Sequence, residues 1–327
     1  MQRKFLVAAS GICLLLAALP GWAADTAAKA RILRDCPTCP ELVVIPAGSF
    51  LMGTPKAMQV SSEVPAELDP VNITIARPFA LGRFELTRGE YQEFVTATGY
   101  SPPEPHCRTW VEGLQAFRDL ARGWQQANIP AAPTDRHPVS CINWHDARAY
   151  LAWLSKMTGR DYRLPSETEW EYAARGGMNA QPFIWGKEKV PGGKWMANIW
   201  QGKFPTEKKV DDGFEGTAPV ASFPKNGYNL FDMAGNVWEL TEDWYRPDTY
   251  ALLAKNPDKE ARHNPKGPAD SYDPDEPGAW KKVTRGGSFM CSDNYCRGYR
   301  PSARMKTAPD TGLQNTGFRC AKSGTPP

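Results

Sequence analysis

"YRLPSETEWEYAARGG", residues 162–177, reads as a helix with both ends marked. Ser166 and Glu169 have capping-box spacing, in which a hydroxyl and a carboxylate each satisfy a free backbone N–H at a helix start. Gly176 and Gly177 supply the stop. The same grammar recurs upstream. In "TRGEYQEFVTATGY", Thr87 and Glu90 form a capping box, and Tyr91, Phe94 and Val95 make an apolar stripe that ends near Gly99. "HPVSCINWHDARAYLAWLSKMTG" (137–159) predicts a strand followed by a helix, with Ala147, Tyr150, Leu151, Leu154 and Met157 on one face. "ELVVIPAGSFLMGT" (41–54) predicts two strands joined by a Pro-Ala-Gly turn as a hairpin, and "VNITIARPFALGRFELT" (71–87) continues strand-like. Residues 100–136, containing "RTWVEGLQAFRDLARGWQQANIP", predict an insertion, helical in part, that could wall a cleft. After residue 178 helical periodicity fades into short aromatic-rich segments and turns, and "NPKGPADSYDPDEPGAW" (264–280) reads as a surface loop. The 12 Trp, 30 Pro and 28 Gly suit a core of large aromatics held by irregular chain. No repeat and no linker after residue 41 divides it. The expected fold class is α+β, a single irregular, loop-rich domain.

The first 23 residues carry Arg3 and Lys4, an apolar run through Leu16, and small residues ending at Ala23. That is the layout of a secretory signal peptide, with Gly21 and Ala23 as its cleavage pattern; the run is too short to span a bilayer comfortably. The expected plan is a signal over 1–23, a leader with a C-x-x-C over 24–42, and one domain over 43–323. The expected location is periplasmic or secreted, with no stable membrane insertion. Losing Arg3 and Lys4 takes the formal charge from +3 to about +1, and no basic run follows, so nucleic acid is not an expected partner.

Export changes how the cysteines read, because an oxidising compartment favours disulfides. Of eight, Cys13 leaves with the signal, and the remaining seven are an odd number. Cys36 and Cys39 in "CPTCP" lack a second C-x-x-C to complete a zinc site, and the prolines suit a rigid turn. A structural disulfide clip is expected there. The four histidines, His106, His137, His145 and His263, are too far apart for H-E-x-x-H or a three-histidine iron site. His137, ahead of Pro138, reads as structural. There is no G-x-S-x-G and no phosphate-binding glycine loop. Thiols remain. In "RGGSFMCSDNYCRGYRPSAR" (285–304), Cys291 and Cys296 stand five positions apart. Spacing alone leaves both a disulfide and a pair of soft ligands open; thiolates select soft ions, Cu(I) above all.

The chain resembles the formylglycine-generating enzyme family, also called the sulfatase-modifying factor family. The resemblance runs through "VVIPAGSFLMGT", "HPVSCINWHDARAY", "YRLPSETEWEYAARGG", "ANIWQGKFP", "DDGFEGTAPVASFPKNGYNLFDMAGNVWEL", "NPKGP", "RGGSFMCSDNYCRGYRPSAR" and "NTGFRCA". Many members share the P-A-G-x-F-x-M-G, R-L-P-[ST]-E-x-E-W-E-Y, G-N-V-W-E and G-F-R words without the cysteine pair. Those words imply the fold, which is C-type-lectin-like. The discriminating stretch is 285–304, which looks like the G-G-S-[YF]-x-C-x-x-x-Y-C-x-x-Y-R of the active enzymes.

What the resemblance implies is a copper-dependent oxidase. It would convert a cysteine in a C-x-P-x-R motif of an unfolded sulfatase to Cα-formylglycine, using dioxygen and a thiol reductant. Cys291 and Cys296 would bind Cu(I), with Cys291 nearer the substrate thiol. Ser288 would contact substrate or oxygen, and Trp238 would line the copper pocket. Tyr295, Arg300 and Arg304 would be supporting or substrate-groove residues. Structural calcium would be held by Asn198, the Ile199 carbonyl, Asp212 and the Phe214 carbonyl, and at a second site by Asp232, the Gly235 and Val237 carbonyls and Glu239. Oxygen-rich sets of that kind suit a hard cation. A monomer is implied. The chain departs from the active pattern at Ser292, where His is usual. It also departs at Ala174 and Pro301, which replace one vertebrate disulfide, and at Leu151, which leaves Cys320 without its usual partner. Cys141 paired with Cys320, and Cys107 as the odd thiol, are the resulting expectation. Two alternatives stand beside the oxidase. One is a periplasmic relative oxidising another substrate, such as a siderophore precursor. The other is a non-catalytic binding factor in which Cys291 and Cys296 form a plain disulfide.

Overall fold

The computed structural model describes residues 31–60, 67–103, 105–127 and 129–324. The expected signal over 1–23 lies outside the described residues.

The chain begins with short strands β1 (Ile32–Leu33), β2 (Leu42–Ile45), β3 (Gly48–Met52), β4 (Val71–Ile75) and β5 (Phe79–Gly82). Helix α1 (Arg88–Thr98) and the pair β6 (Cys107–Val111) and β7 (Ala116–Leu120) follow. Then come α2 (Trp144–Thr158), β8 (Tyr162–Arg163) and α3 (Glu167–Arg175). After a long irregular stretch come β9 (Trp238–Trp244), α4 (Thr249–Lys255) and β10 (Lys282–Arg285). The chain closes with β11 (Met305–Thr307), β12 (Gly312–Leu313), β13 (Thr316–Gly317) and β14 (Ala321–Lys322).

Four small sheets result, ordered β1-β2-β5-β14-β8, β11-β10-β9-β13, β12-β6-β7 and β3-β4. The last strand enters the middle of the first sheet, so the two ends of the domain close on each other. Capping decides where the helices begin. Thr87 with Glu90 and Ser166 with Glu169 form both bonds of the box, as the spacing predicts. Helix α2 uses Asn143 with Asp146, the same device in different residues. Gly99, Gly159 and Gly176 end the three helices in left-handed conformation. The predicted stripe of α2 is buried at Ala147, Tyr150, Leu151 and Leu154. Met157, in the last turn, is exposed.

Two local expectations give way. Strands β2 and β3 do not form a hairpin: β2 pairs with β1 and β5, and β3 pairs with β4. Pro46 cannot donate to a ladder, and between these strands the chain passes from one sheet to the other. Residues 107–120 are a β-hairpin with Trp110 opposite Phe117, not a helix. Its β-branched and aromatic residues favour the pleated surface.

Two large apolar clusters fill the body. One packs α1 and α2 through Tyr91, Phe94, Tyr150 and Leu154 against Phe318 and Cys320. The other joins Trp170, Leu230, Met233 and Trp238 to Cys291, Cys296 and Tyr299. The cysteine segment is therefore part of the core and not an appended loop.

Candidate active site

Residues 285–304 leave and re-enter the body at two fully buried arginines. Arg285 donates to Glu171 Oε2 and, at 3.2 Å, to Glu167 Oε1. Arg304 donates to both oxygens of Glu167, at 2.5 and 2.9 Å. Glu167 and Glu171 lie one turn apart on α3, so a single helix grips both ends of the loop. Burial opposes the charge of Glu171, but Arg175 and Arg285 outweigh it and hold its carboxyl below the usual range. Burial likewise opposes the charge of Arg304, and Glu167 outweighs it, raising the pKa of the guanidinium. Desolvation offsets much of the attraction in such pairs. What they fix is position.

Within that frame the chain folds tightly on itself. Gly286 and Gly287 have φ of 93° and 75°. A Cβ on Gly287 would come within 2.5 Å of the Tyr299 nitrogen, and one on Gly298 would strike the Trp238 ring. Only glycine allows this approach and this backbone. Cys291 and Cys296 are joined as a disulfide with Cα atoms 4.5 Å apart, 1% and 7% exposed. They line a cleft of about 730 Å³ together with Trp238, Ser288, Tyr295 and Asn315. Ser288 Oγ accepts from Asn315 Nδ2 at 3.0 Å and from the Met290 N–H at 3.3 Å. Both bonds bring donors to it, so its own hydrogen is free to point at Cys291 Sγ, 3.9 Å away. Tyr295 stacks on Phe204 at 4.4 Å and remains half exposed. Among the described residues no group of three or more His, Cys, Asp or Glu side chains could hold a metal. Sulfur is the reactive chemistry of this cleft.

A model of the sulfatase-modifying factor enzyme 1-like domain matches residues 29–324. The chain belongs to the sulfatase-modifying factor family. The formylglycine-generating enzyme of Thermomonospora curvata is 38% identical over 86% of this chain and 92% of its own length. The inactive C-alpha-formylglycine-generating enzyme 2 of Mus musculus is 33% identical over 88% of this chain and 87% of its own. Among solved structures, PvdO from Pseudomonas aeruginosa superposes with a TM-score of 0.62 at 29% identity, over 90% of this chain and 98% of that one. Family membership thus spans active and inactive proteins, and activity has to be argued from the cleft.

The structure brings Cys291, Cys296, Ser288, Trp238 and Tyr295 into that cleft. It does not bring Arg300 or Arg304 there. Arg300 binds Glu67 Oε1 at 2.8 Å and the Met58 carbonyl, and Arg304 belongs to the α3 clamp. Ser292 is fully buried and donates to Asn294 Oδ1 at 2.8 Å; Asn294 in turn bonds the Phe204 backbone. It shapes the turn between the cysteines and does not line the cleft. Sequence reasoning missed Asn315, which orients Ser288, although it opens the "NTGFRCA" word. It also missed Arg108 and Phe117, cleft residues on a hairpin read as partly helical.

The disulfides differ from expectation in one respect. Cys36–Cys39 is the predicted clip. Cys141, however, bonds Cys107, and Cys320 is the free thiol. The β12–β6 register sets Gly312 beside Cys107, and the Cys141 N–H donates to Leu313 O, so the two cysteines meet across β12. Cys320 points into the α1–α2 core, where burial pushes its thiol pKa well up.

The family's metal ligands can be tested against these atoms. A reduced Cys291–Cys296 pair would present two sulfurs within reach of one soft ion; no imidazole lines the cleft, and its one lining carboxylate, Glu276, is paired with Lys281. The first calcium set converges well. The Ile199 carbonyl and Asp212 Oδ2 both accept from the Gln201 amide, while Asn198 Oδ1 is buried without a partner. The second fits by charge. Burial and then the nearby Asp232 and Glu239 push the Glu85 carboxyl well up, the mark of acidic groups crowded beside a single guanidinium, Arg319, where a divalent cation would be favourable. In geometry it fits less well, since Arg319 and Trp170 already take both oxygens of Glu239.

Proposed function

We propose that this protein oxidises a cysteine side chain of an unfolded sulfatase, in a C-x-P-x-R segment, to Cα-formylglycine. The observation that carries this is the buried Cys291–Cys296 pair opening on a cleft with Ser288 and Trp238, on a fold whose relatives include formylglycine-generating enzymes.

The overall change is balanced as follows. The substrate CH2SH, dioxygen, two electrons and two protons give an aldehyde, hydrogen sulfide and water. A thiol reductant supplies the two electrons and also opens the Cys291–Cys296 disulfide. The reduced pair, Cys291 and Cys296, would hold Cu(I) as two soft ligands. Copper, when bound, supplies one-electron redox chemistry and a soft position for a third thiolate. The protein's own groups do the placing. The cleft takes an extended segment, which a folded client could not present. Ser288, held by Asn315 and Met290, offers one O–H beside Cys291, where a substrate sulfur must lie. Trp238 and the Phe204–Tyr295 stack form apolar walls that limit water. Arg108, at the rim, favours the net negative charge of two thiolates on one Cu(I).

Calcium is assigned a structural role at Asn198, Ile199, Asp212 and Phe214, and at Asp232, Gly235, Val237 and Glu239. The protein acts as an exported monomer, its domain following the signal and C-x-x-C leader. Three disulfides support an oxidising compartment, and among the described residues no helix is long and apolar enough to cross a membrane. A non-sulfatase substrate is the weaker reading. The likeness to PvdO is at lower identity than that to the formylglycine-generating enzymes.

The test is turnover of a C-x-P-x-R peptide by the purified chain with Cu(I), a thiol and air. Formation of an aldehyde, with the mass loss of CH2SH becoming CHO, supports the proposal. Unchanged peptide under all three additions would sink it.

A further inference from the structure

Strand β6 starts at a point where three segments meet. Cys107 opens the strand, Gly312 of β12 lies beside it, and Cys141 bonds it from the other side. A Cβ on Gly312 would come within 2.7 Å of the His106 carbonyl, so the junction is closely packed. Cys107 and Cys141 are 0% and 4% exposed, and neither lines the cleft. Beyond this junction few backbone pairs hold the hairpin, and its other attachment is Trp110 and Phe117 packed on Phe204, Phe289 and Met290. No residue of β7 is buried, and β12 supplies only two paired residues. Yet the hairpin walls the cleft through Arg108 and Phe117. A chain of ring contacts carries its position onward. Phe117 meets Trp110 at 5.2 Å, Trp110 meets Phe204 at 5.1 Å, and Phe204 stacks on Tyr295, the neighbour of Cys296. Gln314 adds a polar tie: its N–H donates to the Arg108 carbonyl, its Oε1 accepts from the Trp110 N–H, and its amide reaches Met290 Sδ.

We infer that Cys107–Cys141 is a positioning disulfide for the substrate cleft. It anchors the base of β6–β7 so that Phe117, Arg108 and the Tyr295 stack form a preorganised wall for the incoming peptide, and it takes no part in electron transfer. The inference rests on the peptide-oxidase reading for its kinetic consequence, though not for its structural one. A preorganised wall lowers the ordering cost of binding. Losing the anchor therefore weakens peptide capture while leaving the reactive pair, held by the α3 clamp, in place.

The experiment compares wild type, Cys107→Ser/Cys141→Ser, and Cys36→Ser/Cys39→Ser as a control disulfide far from the hairpin in sequence. Two measurements are made: peptide turnover over a range of concentrations, and amide hydrogen exchange across residues 107–120. The Cys107/Cys141 variant is expected to raise KM on the order of tenfold, with kcat within about twofold, and to lose protection in the hairpin. The control is expected to change neither. Alkylation after the assay should leave Cys107 and Cys141 unlabelled in wild type. An unchanged KM, or a fall in kcat alone, overturns the inference. If wild type turns over no peptide, the oxidase reading falls and hydrogen exchange becomes the judge; unchanged hairpin protection overturns the anchor. If the variant does not fold, disulfide mapping of wild type still tests it: absence of a Cys107–Cys141 linked peptide refutes it.

Discussion

Replacing Glu167 by Gln keeps the shape of the side chain and removes the charge that faces two buried guanidinium groups. Arg285 would keep Glu171. Arg304 would lose its charged partner and one of the two bonds to it, keeping one to the amide oxygen and one to the Arg246 carbonyl at 2.9 Å. Stripping one partner from a buried pair costs about 3–5 kcal/mol, because an uncompensated charge stays out of water. For a folded domain of about 300 residues each kcal/mol lowers Tm by roughly 1.6 °C, so the variant should melt about 5–8 °C lower. The control is Arg148→Gln, which breaks a 3.0 Å pair with Glu242 whose members are 55% and 42% exposed. Exposed pairs contribute about 0–1 kcal/mol, so that variant should melt within about 2 °C of wild type. Circular-dichroism melts of all three at neutral pH and moderate salt make the comparison. Peptide turnover should fall further than stability alone requires, since Arg304 anchors one end of the cysteine loop. A Glu167→Gln melt indistinguishable from that of Arg148→Gln would refute the clamp.

Other outcomes follow from the same contacts. Burial and then the neighbouring Glu167 push Asp243 up to about 7. Between its unfolded value and that value the folded state binds more protons than the unfolded one, so its contribution to stability is lost as pH rises through the window. Asp243→Asn should flatten the fall in Tm between about pH 4 and 7; an unchanged slope argues against it. Gly298→Ala should drive a methyl into the Trp238 ring, cost about 1–3 kcal/mol and abolish turnover, whereas normal melting and turnover would show that the ring can yield. Calcium chelation should lower Tm, with added Ca²⁺ but not Mg²⁺ restoring it; Asp212→Asn should weaken that response by removing the first site, and a melt insensitive to chelator would remove calcium from the account.

Much of the fold is written in a few residues whose structural reason emerges only in three dimensions. Helix starts at Ser166 and Thr87 are local chemistry and show in the sequence. The shared words have a further cause. Glu167 and Glu171 of "RLPSETEWEY" pair with Arg285 and Arg304 around the cysteine loop, Trp170 of the same word and Arg319 of "GFR" bind Glu239 of "GNVWEL", and Arg285 over the Trp170 ring joins the two buried groups. The words complete one another, and none has meaning alone. The cysteine pair, Ser288 and Trp238 were legible for the same reason, since they sit on or against that network. The hairpin was not. Helix-forming Leu114, Gln115, Ala116 and Leu120 mask the strand-favouring Thr109, Trp110, Val111 and Phe117, and pairing of Trp110 with Phe117 decides between them. The Cys107–Cys141 bond was hidden too, because the strand that brings the two together, β12, lies more than 160 residues downstream of Cys141. The resemblance implied supporting or groove roles for Arg300 and Arg304, and their carboxylate partners Glu67 and Glu167, far away in sequence, hold them outside the cleft.

The central claim is that Cys291 and Cys296 interconvert between disulfide and a dithiol that holds one soft metal ion. Differential alkylation with mass spectrometry, before and after mild thiol treatment and Cu(I) titration, measures this directly. The account predicts that both residues become labelled after reduction, that one equivalent of Cu(I) then protects both, and that Cys291→Ser/Cys296→Ser binds none. A bond that resists mild thiols, or undiminished copper uptake by the double variant, would contradict it.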